Sequence, residues 1–204
     1  MSDASADYAL PSRRIVQADE LQLDAFRLAR KIYDSGFRPD FLVGLWRGGS
    51  AVAIAVQEGL DYFGIKTDHI SVRTSYAGRD QYARMIGADA KIRVHGLPYL
   101  LQHLNSENAL LIVDDVCGTG RSTLEVIDQL QTRLRRNMPH DVRVASVWHR
   151  PSARTVRPPE FFVNQTDEWL VLPYELTGLS REEIAASKEG MADVLEEFDD
   201  VVPG

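Results

Sequence analysis

Apolar residues recur along this chain at two different spacings. Leu21, Ala25, Leu28, Ala29 and Ile32 fall on one face at helical spacing, start after Asp19 and stop at Gly36, which predicts an amphipathic helix. An unbroken apolar run, Phe41-Leu-Val-Gly-Leu45, follows Pro39-Asp40 and predicts a short buried strand. Residues 51–60 are small and apolar on nearly every face, as in a helix packed on a sheet. Further along, Ile70-Ser-Val72 predicts a strand, 97–104 a helix, 109–113 a strand and 121–136 a helix. The last of these carries Leu124, Ile127, Leu130 and Leu134 on one face. Residues 142–147 predict another strand, and 180–200 a helical tail. Alternating strands and helices predict an α/β fold, a doubly wound and mainly parallel sheet with flanking helices. Residues 1–18 read as a loose arm and 19–204 as a single domain. Residues 75–93 break the rhythm: Tyr76, Gly78, Arg79, Asp80, Tyr82, Arg84, Gly87, Lys91 and Arg93 follow no period. So long a connection in a compact domain is either functional or disordered.

The chemistry concentrates in Leu110-Leu-Ile-Val-Asp-Asp-Val-Cys-Gly-Thr-Gly-Arg-Ser-Thr123. A buried strand ends in two carboxylates, a short glycine loop follows, and a helix begins. Unpaired amides and the positive end of the dipole at such a helix start bind phosphate. Gly118 and Gly120 let the backbone approach a ligand, while Thr119, Ser122 and Thr123 add hydroxyls beside Arg121. Asp114 and Asp115 suit ribose hydroxyls or a divalent metal. No glycine followed four residues later by Gly-Lys-Ser/Thr is present, which excludes a Walker A loop, and no G-x-G-x-x-G occurs here. Leu42-Val-Gly-Leu-Trp-Arg-Gly-Gly49 forms a second strand-to-glycine turn, where Arg47 and Gly48 offer another anion site.

A net charge of −7 argues against a general nucleic-acid binder, so an anionic substrate must meet local positive charge. Arg47, Arg79, Arg84, Arg121 and Arg150 are the candidates for supplying it. Cys117 is the only cysteine, which excludes a disulfide framework and a cysteine zinc cluster. Its place near a helix start favours a lowered thiol pKa, but nothing nearby suggests thiolate chemistry and packing is its expected role. The five histidines show no metal-ligand spacing. Arg133, Arg135 and Arg136 read as a solvated helix face. The polar, acidic start is unlike a targeting peptide and no apolar run approaches membrane-spanning length, so the expected location is cytoplasmic, without membrane or nucleic-acid partners.

The acid pair with its Gly-Thr-Gly loop resembles the signature of type I phosphoribosyltransferases, which bind phosphoribosyl pyrophosphate (PRPP) there. Arg73-Thr-Ser-Tyr76 is similar to the segment that opens the catalytic loop of the 6-oxopurine members, making Tyr76 a catalytic candidate. Val147-Trp-His-Arg-Pro151 and Thr166-Asp-Glu-Trp-Leu-Val-Leu-Pro-Tyr-Glu175 extend the likeness. It runs from about residue 20 to 180 and is nearest to bacterial hypoxanthine and xanthine–guanine phosphoribosyltransferases. The resemblance implies a small C-terminal hood, about 145–180, over the main fold, and transfer of phosphoribose from PRPP to a purine with release of pyrophosphate. It places ribose hydroxyls on Asp114 and Asp115, the 5′-phosphate on residues 118–123, and pyrophosphate on Arg47 and Gly48. Arg150, Trp169 and Leu170 take the base, and Asp115 and Glu175 a magnesium ion. It also implies a cis peptide between Trp46 and Arg47 and a homo-oligomer.

Two positions depart from that resemblance. The 6-oxopurine enzymes carry Asp-Thr-Gly where this chain has Gly118-Thr-Gly120, and a lysine where it has Arg150. The missing aspartate faces purine N7 as the proposed acid/base, a role worth about 10²–10⁴-fold in rate. Three readings stay open at this point: a purine phosphoribosyltransferase with altered base-side chemistry, a transferase for another acceptor, or a PRPP- or nucleotide-binding regulator without turnover.

Overall fold

The computed structural model describes residues 13–76 and 92–196, and divides them into two compact units, 22–167 and the terminal residues on either side. The larger unit is built on a six-stranded sheet in the order β4-β3-β2-β5-β6-β7. Its strands are β2 (Phe41–Trp46), β3 (Asp68–Tyr76), β4 (Ile92–His95), β5 (Ala109–Cys117), β6 (Asp141–His149) and β7 (Phe161–Gln165). All neighbours pair in parallel except β3 and β4, which are antiparallel. The doubly wound, mainly parallel architecture is therefore as the alternating pattern predicted.

Strand parity sorts the two layers. Phe41, Val43 and Leu45 of β2 and Leu110 and Ile112 of β5 pack with α3 (Pro98–His103) and α4 (Arg121–Leu134) in one core. The alternate residues face α2 (Gly48–Tyr62), which packs on β2 and β5. Two glycines allow that approach: a Cβ at Gly44 would lie 2.9 Å from both Ala53 Cβ and Ser50 Cα, and one at Gly59 2.7 Å from Ala29 Cβ of α1 (Ala18–Asp34). Helix α1 carries Asp19 and Glu20 in its first turn and Lys31 in its last, matching the dipole, and stops at Gly36 with φ +82°.

Several bounds differ from the sequence reading. Strand β3 is nine residues long because His69, Ser71 and Arg73 alternate outward with Ile70 and Val72. Helix α4 stops at Leu134, since Arg135 turns to φ +54° and opens a 3₁₀ turn, Arg135–Asn137. Arg133, Arg135 and Arg136 are exposed, as expected of a solvated face. Of the connection over 75–93, Ser75 and Tyr76 pair with Arg93 and Ile92, while Arg79 and Arg84 lie outside the described residues.

The smaller unit holds a two-stranded parallel sheet of β1 (Arg13–Ile15) and β8 (Trp169–Val171). The arm expected over 1–18 is thus described from residue 13, where it forms a strand, and Val16 continues the pairing through a 2.9 Å bond to the Val171 carbonyl. The tail forms α5 (Arg181–Ser187) and α6 (Met191–Glu196), separated at Gly190 with φ +76°. Ser180 and Glu183 close a capping box on α5. Among the described residues, no helix is long and apolar enough to cross a membrane.

Candidate active site at the carboxyl end of the sheet

The chain runs from β2 outward to β3 on one side, then returns to place β5 on the other. In open α/β sheets this switch point opens a crevice at the carboxyl ends of the strands, where ligands bind. The ends of β2, β3, β5 and β6 bring together the Trp46–Arg47 turn, Tyr76, the acid pair with its loop, and Arg150. Trp169, Leu170 and Glu175 lie in the smaller unit.

Asp114 and Asp115 directly follow the buried run of β5, residues 110–113. Asp114 Oδ1 accepts from the Asp115 amide at 3.0 Å, and Asp115 Oδ1 from the Val116 amide at 2.8 Å, so each carboxylate is fixed by its neighbour's backbone. Burial, and next the charge of Asp115, push the Asp114 carboxyl well above the usual range. The first turn of α2 abuts it: a Cβ at Gly49 would lie 2.5 Å from the Val113 carbonyl oxygen and 3.1 Å from Asp114 Oδ1. The peptide between Trp46 and Arg47 is cis, and Arg47 stands exposed at the head of α2, directly before Gly48.

The loop after β5 rests on residues 150–157, which lead out of β6. Arg150 N donates to the Cys117 carbonyl at 2.9 Å, and Thr155 Oγ1 to the Gly118 carbonyl at 3.1 Å. Val156 N and Arg157 N both donate to the Thr119 carbonyl, at 2.9 and 3.4 Å. Gly120 has φ +71°, and a Cβ there would lie 1.9 Å from the Arg157 carbonyl oxygen, so only glycine fits. Gly118 is different: the nearest atom to a Cβ would be the Arg150 carbonyl oxygen at 3.9 Å, and its φ is ordinary. Arg121, Ser122 and Thr123 open α4, with Arg121 N directed at Thr119 Oγ1 at 3.4 Å and Thr123 buried.

Cys117 corrects an expectation. Burial, then the charges of Asp114 and Glu160, push its thiol up to about 12, whereas the nearby helix start suggested a lowered value. The side chain is buried and directed at the Arg157 carbonyl, 3.6 Å away, so desolvation outweighs any dipole effect. The thiol is a packing group.

In the smaller unit, half-buried Trp169 and buried Leu170 sit on β8 opposite Arg13 and Arg14. Glu175 builds a turn there: Leu172 N donates to its Oε2 at 3.2 Å, while Glu175 N donates to the Leu172 carbonyl at 3.0 Å. Buried Lys188 completes the turn, its Nζ donating to the Leu172 and Pro173 carbonyls at 2.9 and 3.0 Å. One oxygen of Glu175 is thus engaged by its own turn, and its expected role toward a metal rests on the other. Among the described residues, no group of three or more His, Cys, Asp or Glu side chains is placed to hold a metal ion. The acid pair does fit magnesium, which is commonly held by one or two carboxylates together with substrate phosphates and water. The sequence reading passed over Thr155 and Arg157, whose only local signal is a Ser/Thr/Pro-rich connection.

Solved structures share this architecture. A purine phosphoribosyltransferase from Pyrococcus horikoshii superposes with a TM-score of 0.60 at 21% identity, covering 83% of this chain and 97% of its own. A Neisseria gonorrhoeae protein with bound ppGpp gives 0.65 at 19% identity, over 92% and 99%. The xanthine-guanine-hypoxanthine phosphoribosyltransferase of Helicobacter pylori gives 0.61 at 14%, over 80% and 94%. The phosphoribosyl transferase domain family matches residues 13–175, from the first described strand to the Glu175 turn, and the chain belongs to that family.

Proposed function

We propose that this member transfers the 5-phosphoribosyl group of PRPP to a purine of the hypoxanthine, guanine and xanthine class, forming a nucleoside monophosphate and pyrophosphate. The observation that carries it is the acid pair followed by the strapped glycine loop at the switch point, and the purine enzymes among the structural relatives support the acceptor.

Residues 118–123 hold the 5′-phosphate through main-chain amides and the Thr119 and Ser122 hydroxyls, and Asp114 and Asp115 hold the ribose hydroxyls. Arg47 and Gly48 hold the pyrophosphate, so both anionic ends of PRPP are fixed and C1 of the ribose lies between them for attack. Positive charge develops on the ribosyl ring as the pyrophosphate bond breaks, and the carboxylates of the acid pair stabilise it. Magnesium, bound with the substrate through Asp115, supplies charge neutralisation for the leaving pyrophosphate. Within the larger unit, Arg150 meets the base. Tyr76, the last residue of β3, keeps its role as a catalytic candidate. With glycine at 118, the purine proton leaves by another acceptor and the reaction is slower than in enzymes with an aspartate there.

The test is pyrophosphate release from magnesium–PRPP with hypoxanthine, guanine, xanthine, adenine, orotate and uracil. Release with at least one of the first three is expected. Release with adenine, orotate or uracil alone reassigns the acceptor. No release with any base, despite saturable PRPP binding, replaces the enzyme with a nucleotide-binding regulator.

A further inference from the structure

The phosphate loop is held from behind by a second stretch of chain, and the hydrogen-bond directions show what that does. Three successive carbonyls, those of Cys117, Gly118 and Thr119, all accept from residues 150–157. In a planar trans peptide the N–H points opposite to the C=O of the same unit. These peptides are trans, the single cis bond among the described residues being Trp46–Arg47. Turning three carbonyls toward the strap therefore turns three N–H groups, of Gly118, Thr119 and Gly120, away from it. An isolated loop of this composition has no reason to align three amides, because glycine leaves its dihedrals free and ordering each residue costs about 1–2 kcal/mol. The strap meets that cost at folding, before any ligand arrives.

Thr155 is the one side chain among these donors. Its hydroxyl donates to the Gly118 carbonyl at 3.1 Å and accepts from Ser152 N at 3.0 Å, while Thr155 N donates to the Ser152 carbonyl at 3.0 Å. The hydroxyl thus joins a turn of the strap to the middle peptide of the loop. The strap is anchored at its far end: Arg157 pairs with Glu160 at 2.6 Å, and Glu160 Oε2 accepts from Val144 N of β6 at 2.7 Å. Its near end is Arg150, the residue proposed above to meet the base.

We propose that residues 150–157 are the template that presents three backbone amides to a phosphate monoester, and that Thr155 is the positioning residue of that template. The proposal deepens the phosphate role given to residues 118–123 and rests on it. Thr155 touches no substrate; it acts through the Gly118 peptide.

Calorimetry with ribose 5-phosphate and, separately, pyrophosphate on the full-length protein tests this. The unaltered protein binds ribose 5-phosphate saturably. Thr155→Val, which keeps the shape and loses the donor, weakens that binding by about tenfold, equivalent to about 1.4 kcal/mol. Thr155→Ser restores the affinity to within about twofold, and pyrophosphate binding at the Arg47 turn stays unchanged in both variants, since a hydroxyl-specific, site-specific loss is what removing one hydrogen bond produces. In turnover, KM for PRPP rises with little change in kcat. Thr155 is half-buried beside exposed residues 151–154, and circular dichroism checks that the fold is retained; Thr155→Ala makes the same comparison if the valine variant does not fold. Equal affinity in Thr155→Val and the unaltered protein overturns the template. So does equal loss in the valine and serine variants, or parallel loss of pyrophosphate binding, because either reports packing. Failure of the unaltered protein to bind ribose 5-phosphate overturns the phosphate reading itself, and the template with it.

Discussion

Replacing Gly118 by aspartate restores the residue that the 6-oxopurine enzymes carry, and the backbone has room for it. A Cβ there meets only the Arg150 carbonyl oxygen, at 3.9 Å, an ordinary van der Waals distance, and the glycine does not use a left-handed conformation. Removing a glycine at a compatible position stabilises a chain by about 0.4–1 kcal/mol. A third carboxylate following Asp114 and Asp115 opposes this by an amount on the order of 1 kcal/mol at an effective dielectric constant near 20. The two nearly cancel, so Tm should move by only a few degrees. The gain is kinetic: a placed acid/base contributes about 10²–10⁴-fold, and part of it is already supplied by whatever group now takes the proton. We expect kcat/KM for the preferred 6-oxopurine to rise at least about tenfold, or about 1.4 kcal/mol of barrier. The assay is continuous pyrophosphate release with hypoxanthine, guanine and xanthine at saturating magnesium–PRPP, with Tm measured in parallel. An unchanged Tm with unchanged or lower kcat/KM for all three bases would refute the purine reasoning, because the acid would then stand where no N7 arrives.

Gly120→Ala should contrast with this, since its Cβ would collide with the Arg157 carbonyl at 1.9 Å in a left-handed backbone; a loss of about 2 kcal/mol or more by urea unfolding is expected, with ribose 5-phosphate binding abolished. Asp114→Asn should raise the ligand-free Tm at neutral pH while weakening PRPP–magnesium binding. The sign follows from the raised folded pKa: the native state keeps its proton where the unfolded chain has lost it, so stability falls as pH rises from about 4, the ordinary aspartate value, through the folded value. The asparagine variant should lose that fall in a pH series of melting curves; an identical slope would contradict it. Cys117, with its thiol pushed up to about 12, should resist iodoacetamide at pH 7–9 and react only as the protein unfolds, which mass spectrometry over a urea series reads directly.

The central strands and the larger helices were legible because burial on both faces writes an unbroken apolar run, as in residues 41–45 and 110–113, and an amphipathic helix writes a period. Strands β1, β7 and β8 write too little of either. Arg13–Ile15 is exposed throughout, Trp169–Val171 is three residues long, and Phe161–Gln165 follows directly on Pro158, Pro159 and Glu160. Pairing such short segments is decided by partners far away in sequence. In the candidate site, the glycine loop was visible because Gly120 answers a local need for a positive φ. The strap was not, since the bond from Thr155 to Gly118 spans 37 residues and leaves no periodicity. The packing role of Cys117 was legible, but the direction of its thiol shift was not, for the same reason. A helix start is visible in sequence, but the depth at which a thiol is buried depends on the folds of chain around it.

The contact of Gly49 with the Val113 carbonyl and Asp114 separates the two halves of this site in a way that bears on how it can change. The Arg47 turn and the acid pair are spaced by backbone against backbone, and the loop beside them directs three carbonyls at residues 150–157. That spacing belongs to the main chain, so substitutions at exposed side chains leave it in place, whereas a Cβ at Gly49 or Gly120 would not. Position 118 is different: a Cβ there would meet only the Arg150 carbonyl oxygen, at 3.9 Å, so a side chain can be added without moving the main chain. Under the proposed function, a change of acceptor at Gly118 would therefore leave the spacing of the Arg47 turn and the acid pair as it is.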